Sequence, residues 1–329
     1  MNGKEVYEDQ FKNRVNKIIQ ENLDKPYLKG FYNYMGSSRL SSSTKYNYIY
    51  FVVSFMNDNK KEIEDLELDD YTEFLSKISN ATASYQIGVY SGLKKFASYL
   101  VASRKTDHNP MEHISRPKFK EKEETITKRE KGYLEKKEIG KYLCSVKSGV
   151  GSSRARAKQE QWKERDLLII LILLNTGMRC SALFKLDVDS FDLNKKTLTV
   201  SDKGDKVKTY VLSDELMEHI DKWLCKREMF LDGKEEVAMF ISNERKRMCQ
   251  KSISRIVTKY SVNIKGKNIS PHKLRATYGT QLMEETGDIY FVQQCMGHSN
   301  PATTELYIRG QNKNNELKAN DIMSKILFK

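Results

Sequence analysis

Four short segments in the second half of the chain carry side chains suited to phosphate chemistry. In the first, Thr176-Gly177-Met178-Arg179, a glycine ends one helix and an arginine begins the next segment. A guanidinium placed there can hold phosphate oxygens through two parallel hydrogen bonds. Taken alone the pattern is weak, because arginines after a glycine turn are common on protein surfaces.

The second segment, Asp202-Lys203-Gly204-Asp205-Lys206, has the composition of a β-turn that carries lysines. A hairpin tip can reach into a groove and present an ammonium to a leaving oxygen, although a solvated Lys-Gly turn is the commoner explanation. The third segment, Ser270–Arg275, begins with Ser and Pro, which is a strong start signal for a helix. His272 and Arg275 would then share one helical face near a positive N-terminus, which suits a phosphate.

The fourth segment is Met296-Gly297-His298-Ser299, and Tyr307 follows nine residues after His298. Because Tyr307 is one of 18 tyrosines, its type alone says little about its role. Each of the four segments has an ordinary structural explanation when it is taken by itself. Their order along the chain is what requires a common explanation.

In that order these residues resemble the phage-integrase or tyrosine-recombinase family. The family patterns Thr-Gly-aliphatic-Arg, Lys-Gly-x-Lys, His-x-Leu-Arg and Gly-His-Ser followed by Thr-x-x-Tyr are all matched, and the resemblance spans residues 25–329. It implies six catalytic residues: Arg179, Lys203, His272, Arg275, His298 and Tyr307. One position departs from the pattern, because Ala182 stands where the family often has an acidic residue that supports the first arginine.

The resemblance implies a site-specific DNA recombinase of the integrase or excisionase type, acting through a 3′-phosphotyrosyl intermediate and a Holliday junction. Tyr307 would attack the scissile phosphorus, Lys203 would protonate the departing 5′-oxygen, and Arg179 and Arg275 would hold the phosphate. The second histidine of the set would hydrogen-bond the same phosphate, and the first would either do likewise or assist proton removal from the tyrosine. Two arginines and a lysine can supply the charge that metal ions supply in nucleases, so no metal or cofactor is expected.

Two alternatives stay open. A type IB topoisomerase-like enzyme would use the same strand-cleavage chemistry, although the first half of the chain and the motif at His298 argue against it. A non-catalytic DNA-binding regulator on the same scaffold would have lost one or more of the site residues, yet all six are present.

The composition is that of a basic protein with a net charge of +13, from 57 Lys and Arg against 44 Asp and Glu. This excess suits a polyanionic partner, although lysine-rich proteins without one exist. The five cysteines form no CxxC pair, which argues against a disulfide framework or a zinc site and fits a reducing cytoplasm. The chain has no run of about 20 apolar residues, so we expect no membrane span. Its polar N-terminus is unlike a secretory signal.

We therefore expect a cytoplasmic, nucleoid-associated protein whose partners are double-stranded DNA recombination sites, further copies in a homo-tetramer on DNA, and an accessory DNA-bending protein. The expected fold is mainly α (α+β), in which a helical domain and a mixed α/β catalytic domain with a small antiparallel sheet form a clamp around DNA. The predicted parts are an N-terminal helix at 1–24, a helical, SAM-like core-binding domain at 25–115, a basic linker at 116–132, a catalytic domain at 133–310 and a tail helix at 311–329 that docks on its own domain or in trans.

Apolar periodicity and capping residues place the individual elements. Helices are predicted at 5–20, 27–35, 44–56, 71–75, 82–102, 136–145, 161–176, 215–230, 251–260, 271–285, 289–296 and 316–327. Strands are predicted at 191–200 and 206–212, with turns at Asn194-Lys195 and Gly204-Asp205. A basic stretch of small residues at 147–158 is given no element.

Overall fold

The computed structural model describes residues 2–38, 40–119, 132–201 and 207–297. The chain divides into two compact units, Gly3–Glu121 and Lys122–Lys329, and each is described by itself. The domain boundaries drawn from the sequence stay a prediction, and the tail helix lies outside the described residues. Within the described ranges, no helix combines the length and apolar character needed to cross a membrane.

The first unit is built from helices, two of which begin at capping hydroxyls. Its described residues form five α-helices, which are α1 (Gly3–Glu21), α2 (Tyr27–Tyr34), α3 (Ser42–Asn59), α4 (Leu68–Lys77) and α5 (Ala83–Ala102). Ser41 begins α3 by accepting a hydrogen bond from the Thr44 N–H at 3.2 Å, and Thr82 begins α5 through the Tyr85 N–H at 3.4 Å. These hydroxyls satisfy donors that the first turn of a helix leaves without a partner.

Aromatic side chains fill the core of this unit. Phe55 stacks on Tyr71 with ring centroids 4.8 Å apart, and Phe31 meets Phe96 edge to face at 5.3 Å. Such pairs add about 0.5–1.5 kcal/mol each beyond the burial of their area. These four aromatic residues are therefore core residues of the first unit.

The second unit combines eight α-helices and three strands in its described part. The helices are α6 (Lys136–Ser148), α7 (Ser153–Gln161), α8 (Lys163–Thr176), α9 (Cys180–Phe184), α10 (Asp214–Leu231), α11 (Gln250–Lys259), α12 (Pro271–Thr286) and α13 (Ile289–Met296). The strands are β1 (Phe191–Asp192), β2 (Thr197–Ser201) and β3 (Val207–Val211). This confirms the predicted fold class, with helices and a small antiparallel sheet.

The sheet has the order β1-β2-β3 and is antiparallel throughout. The predicted strand at 191–200 is divided into β1 and β2 by a turn in which the Lys195 N–H donates to Asp192 Oδ1 at 3.0 Å. In the hairpin of β2 and β3, Ser201 pairs with Val207. The connection between these two residues is the segment that contains Lys203.

The basic stretch at 147–158 contains a helix, α7, that the sequence did not reveal. Ser152 caps it by accepting from the Ala155 N–H at 3.4 Å. The Gln159 side chain exchanges two hydrogen bonds with the backbone of Val150, at 3.0 and 2.8 Å, and so holds the preceding loop. No residue of α7 is buried, so the helix has no apolar periodicity that a sequence pattern could show.

A buried carboxylate links α8 to α11. Asp166 is 1% exposed, and its Oδ1 accepts from Arg165 Nε at 3.0 Å and Nη2 at 2.9 Å. Its Oδ2 accepts from Lys259 Nζ at 2.9 Å and from the Tyr260 hydroxyl at 2.8 Å. Burial, together with the neighbouring Asp166 carboxylate, raises the pKa of Tyr260, which keeps this phenol a donor.

Replacing Asp166 with Ala should lower the free energy of unfolding by about 3–5 kcal/mol, because it leaves the buried guanidinium of Arg165 without its counter-charge. Urea unfolding would measure the change. The control is Asp221→Ala on the exposed face of α10, which should stay within about 0.5 kcal/mol of the unaltered protein. Equal stability of the two variants would contradict the assigned role of Asp166.

Candidate active site

The first predicted segment forms a rigid turn between α8 and α9. Gly177 ends α8 in the left-handed region at φ +59°, a conformation that glycine adopts without strain. The Thr176 hydroxyl donates to the Ile172 carbonyl at 2.7 Å and accepts from the Met178 N–H at 3.2 Å. Arg179 follows as the half-buried N-cap residue of α9.

The third predicted segment begins α12 as its sequence indicates. Ser270 accepts from the Lys273 N–H at 3.4 Å, and Pro271 occupies the first helical position. His272 follows and is exposed. Arg275, one turn later on the same helix, is only 5% exposed. The two predicted site residues therefore stand at the same end of α12 but differ in their contact with solvent.

The buried guanidinium of Arg275 joins three segments of the chain. Its Nη1 donates to the Gly177 carbonyl at the end of α8, and its Nη2 donates to the Met296 carbonyl at the end of α13. The turn that carries Arg179 and the residue pair that precedes His298 are therefore both held by one side chain of α12. Three of the four predicted segments meet at this point.

A second cationic side chain holds the end of α13. Lys208 of β3 donates through Nζ to the Cys295 carbonyl, next to the Met296 carbonyl that Arg275 holds. The helix then ends at Gly297, with φ +62°. The last carbonyls of a helix have no partner within it and carry partial negative charge, so two cations stabilise this end.

Lys208 also connects the start of the fourth predicted segment to the hairpin of β2 and β3. The connection of this hairpin contains the second predicted segment. Lys208 lies on the strand that leaves the Lys203 segment, and its ammonium is 4.5 Å from the ring centroid of Tyr210. The sequence did not single out Lys208. The available signal was the alternation of β3, in which Lys208 and Tyr210 are half-buried whereas Val207 and Val211 are 68% and 81% exposed.

The ring of Tyr278 packs directly on Gly177. A Cβ at Gly177 would lie 2.2 Å from Cδ1 of this ring, so only glycine fits. Burial raises the pKa of the Tyr278 phenol, and a hydrogen bond with the Cys295 side chain adds to the shift. Tyr278 thus joins the turn before Arg179 to α13, a contact that sequence spacing does not reveal.

The helix that begins at Arg179 packs against α11. Ala182, in its middle, is 3% exposed. Cys180 Sγ lies 3.9 Å from Ser254 Oγ of α11, and burial raises the pKa of this thiol to about 11. Cys180 is therefore protonated at neutral pH and acts as a small packing residue.

Three of the six predicted site residues, Lys203, His298 and Tyr307, lie outside the described residues. The structure describes Arg179, His272 and Arg275, together with the residues that directly flank the segments of Lys203 and His298. The catalytic roles of all six residues stay predictions.

Two alanine variants can separate the stability lost through a clash with Tyr278 at Gly177 from the stability lost through left-handed backbone strain. Gly287 ends α12 with φ +66° and has open space where a Cβ would stand, so Gly287→Ala should destabilise by about 1–2 kcal/mol. Gly177→Ala meets the ring as well and should lose about 1–3 kcal/mol more. Chemical unfolding of both variants measures the difference, and equal losses would show that the ring contact is unimportant.

Comparison with known proteins finds a family that extends over both units. Residues 153–314 match the phage integrase family. Tyrosine recombinase XerC of Caldanaerobacter subterraneus subsp. tengcongensis is 30% identical over 314 residues, which cover 86% of this chain and 82% of the relative. Tyrosine recombinase XerS of Streptococcus thermophilus is 28% identical over 302 residues, which cover 85% of this chain and 83% of the relative.

Solved structures share the fold at low sequence identity. XerH site-specific recombinase, bound to palindromic difH substrate in a post-cleavage complex, aligns with a TM-score of 0.68 and 19% identity over 94% of this chain and 88% of that one. A lambda integrase dimer bound to a COC' core site aligns with a TM-score of 0.60 and 16% identity over 86% and 76%. From the extent of the match to XerC, the chain belongs to the tyrosine recombinase family of site-specific DNA recombinases.

Proposed function

We propose that this recombinase cuts and rejoins double-stranded DNA at specific sites through a covalent 3′-phosphotyrosyl link to Tyr307. The observation that supports the proposal best is the position of the Arg275 guanidinium, which bonds the carbonyls of Gly177 and Met296. These bonds bring the Arg179 turn and the chain that leads to His298 to the same buried cation. Such convergence of phosphate-binding segments is what cleavage of a phosphodiester requires.

In the proposed reaction the phenolic oxygen of Tyr307 attacks the scissile phosphorus while the bond to the 5′-oxygen breaks. His272 assists removal of the phenolic proton or hydrogen-bonds the phosphate, and Lys203 gives a proton to the departing 5′-oxygen. The energy of the phosphodiester is retained in the tyrosyl ester. A 5′-hydroxyl can therefore reverse the step and join the strand without ATP.

The charge that develops on the phosphate oxygens would be offset by Arg179 and Arg275, with a further hydrogen bond from His298. A guanidinium carries five N–H donors in a planar fork that suits phosphate oxygens, and two carbonyl bonds hold the fork of Arg275. Because these bonds orient the guanidinium before DNA arrives, little reorganisation is needed in the transition state. Preorganised charge of this kind is the largest catalytic effect in many enzymes.

The proposal extends to assembly on DNA. XerH was solved bound to difH DNA and lambda integrase as a dimer on a core site, and both share the fold of this chain. We expect a tetramer on two sites that exchanges one strand pair at a time through a Holliday junction. The net charge of +13 supports binding to DNA and action at the nucleoid. An accessory DNA-bending protein and docking of the tail helix in trans are parts of the same proposal.

Tyr307→Phe should abolish the covalent adduct and leave DNA binding unchanged, because it removes only the attacking oxygen. Binding sites would first be selected from random duplexes, and a nicked version of the selected site would then trap the adduct for detection on a denaturing gel. An adduct formed by the Phe variant would contradict the proposal. Absence of an adduct with unaltered protein would favour a non-catalytic regulator, and relaxation of any supercoiled plasmid would favour a topoisomerase.

Lys208→Met should slow adduct formation by about 10- to 100-fold with little change in the dissociation constant for DNA, since misplaced catalytic groups lose rates of this size. Lys208→Arg should recover part of the rate, because it restores a cation at the end of α13. The control is Lys195→Met, which removes a charge that is 79% exposed in the turn between β1 and β2. Single-turnover cleavage at saturating protein measures the effect, and equal rates for the two Met variants would exclude the positioning role.

A further inference from the structure

We propose that Arg247 is a positioning residue that orients Arg179 by holding α9 from its C-terminal end. The inference rests on the proposed function, in which Arg179 binds the scissile phosphate. It assigns a role to a residue that lies far from the four segments in the sequence.

The helix that presents Arg179 is too short to orient itself. It has five residues, with Arg179 as its N-cap. A helix of this length is marginal without tertiary contacts. Ala182, in its middle, is buried and offers no polar group to hold the arginine, although the family often has a carboxylate at that position. The orientation of α9 therefore depends on what packs against it and on what holds its ends.

Arg247 holds the C-terminal end of α9 with a fork of hydrogen bonds. Its Nη1 donates to the carbonyls of Phe184 and Leu186, each at 3.2 Å, and its Nη2 donates to Asp187 Oδ1. The side chains of Arg247 and Asp187 are only 8% and 11% exposed. A buried, planar guanidinium can serve all three acceptors together, and an ammonium cannot reproduce this geometry.

Arg247 is itself held by the chain that surrounds it. Its N–H donates to Glu236 Oε2 at 2.9 Å, and Glu236 Oε1 accepts from the Ala238 N–H at 3.0 Å. The backbone of the same chain segment reaches the end of α9, because the Met239 N–H donates to the Leu186 carbonyl at 2.9 Å. The guanidinium therefore acts from a fixed frame on a short helix that has Arg179 at its other end.

Loss of the guanidinium would remove the bonds at the end of α9 and leave the Asp187 carboxylate without this buried counter-charge. Because α9 has only five residues, a small rotation about its C-terminal end would displace Arg179 at its N-terminal end. Displacement of a catalytic group by about 1 Å can slow a reaction on the order of 100-fold. The effect should therefore fall on the rate of cleavage and not on the affinity for DNA.

A double-mutant cycle tests the coupling between the two arginines. Arg179→Lys keeps a charge and a measurable rate but removes the fork that must be oriented. Arg247→Met should slow adduct formation about 10- to 100-fold in the unaltered protein and have little further effect in the Arg179→Lys protein. Arg247→Lys should recover only part of the rate. The rates are those of single turnovers on the nicked site at saturating protein, with the dissociation constant for DNA measured in parallel.

Two further variants make the result decisive. Lys246→Met removes the adjacent, exposed charge and should cleave at the unaltered rate. Asp187→Asn keeps the shape of the pair if Arg247→Met fails to fold, and it should show the same dependence on Arg179. Losses that multiply in the double variant, or a cleavage rate for Arg247→Met equal to that of Lys246→Met, would overturn the role of Arg247. Unaltered cleavage by Arg179→Lys and Arg179→Ala would instead overturn the proposed role of Arg179.

Discussion

The structure around the candidate site depends on one buried interaction, the hydrogen bonds of the Arg275 guanidinium with the carbonyls of Gly177 and Met296. The ends of α8 and α13 both present carbonyls with partial negative charge, so their approach would be unfavourable without a cation between them. Arg275 supplies that cation from α12. The turn before Arg179 and the residues before His298 are neighbours for this reason.

Cationic side chains hold helix-end carbonyls in two further places, once more at the end of α13 and once at the end of α9. Lys208 holds the Cys295 carbonyl of α13, and Arg247 holds the carbonyls at the end of α9. Part of the positive charge of the chain therefore lies inside the second unit, bonded to backbone carbonyls, and not on its surface. A high net charge is consequently an imperfect measure of how many cations contact the polyanion. The guanidinium of Arg275 accounts for the close approach of the C-terminal ends of α8 and α13.

Local signals predicted the elements better than they predicted the contacts. The Ser-Pro start of α12 and the glycine end of α8 could be predicted, because capping and left-handed backbone depend on a few adjacent residues. Helix α7 was missed because it buries nothing. Lys208, Tyr278 and Arg247 were missed because each acts on a partner far along the chain, as when Arg275 bonds a carbonyl 98 residues away.

The sequence by itself determined which residues are available for phosphate chemistry, in what order, and where the flanking helices begin and end, because these are properties of side-chain type and local backbone preference. Tertiary structure decided which cations are buried against carbonyls and which stay near solvent, as the contrast between Arg275 and His272 on one helix shows. It also decided that Gly177 must lack a side chain, since the ring of Tyr278 occupies that space. Such choices depend on distances between remote segments, which are set only when the helices pack.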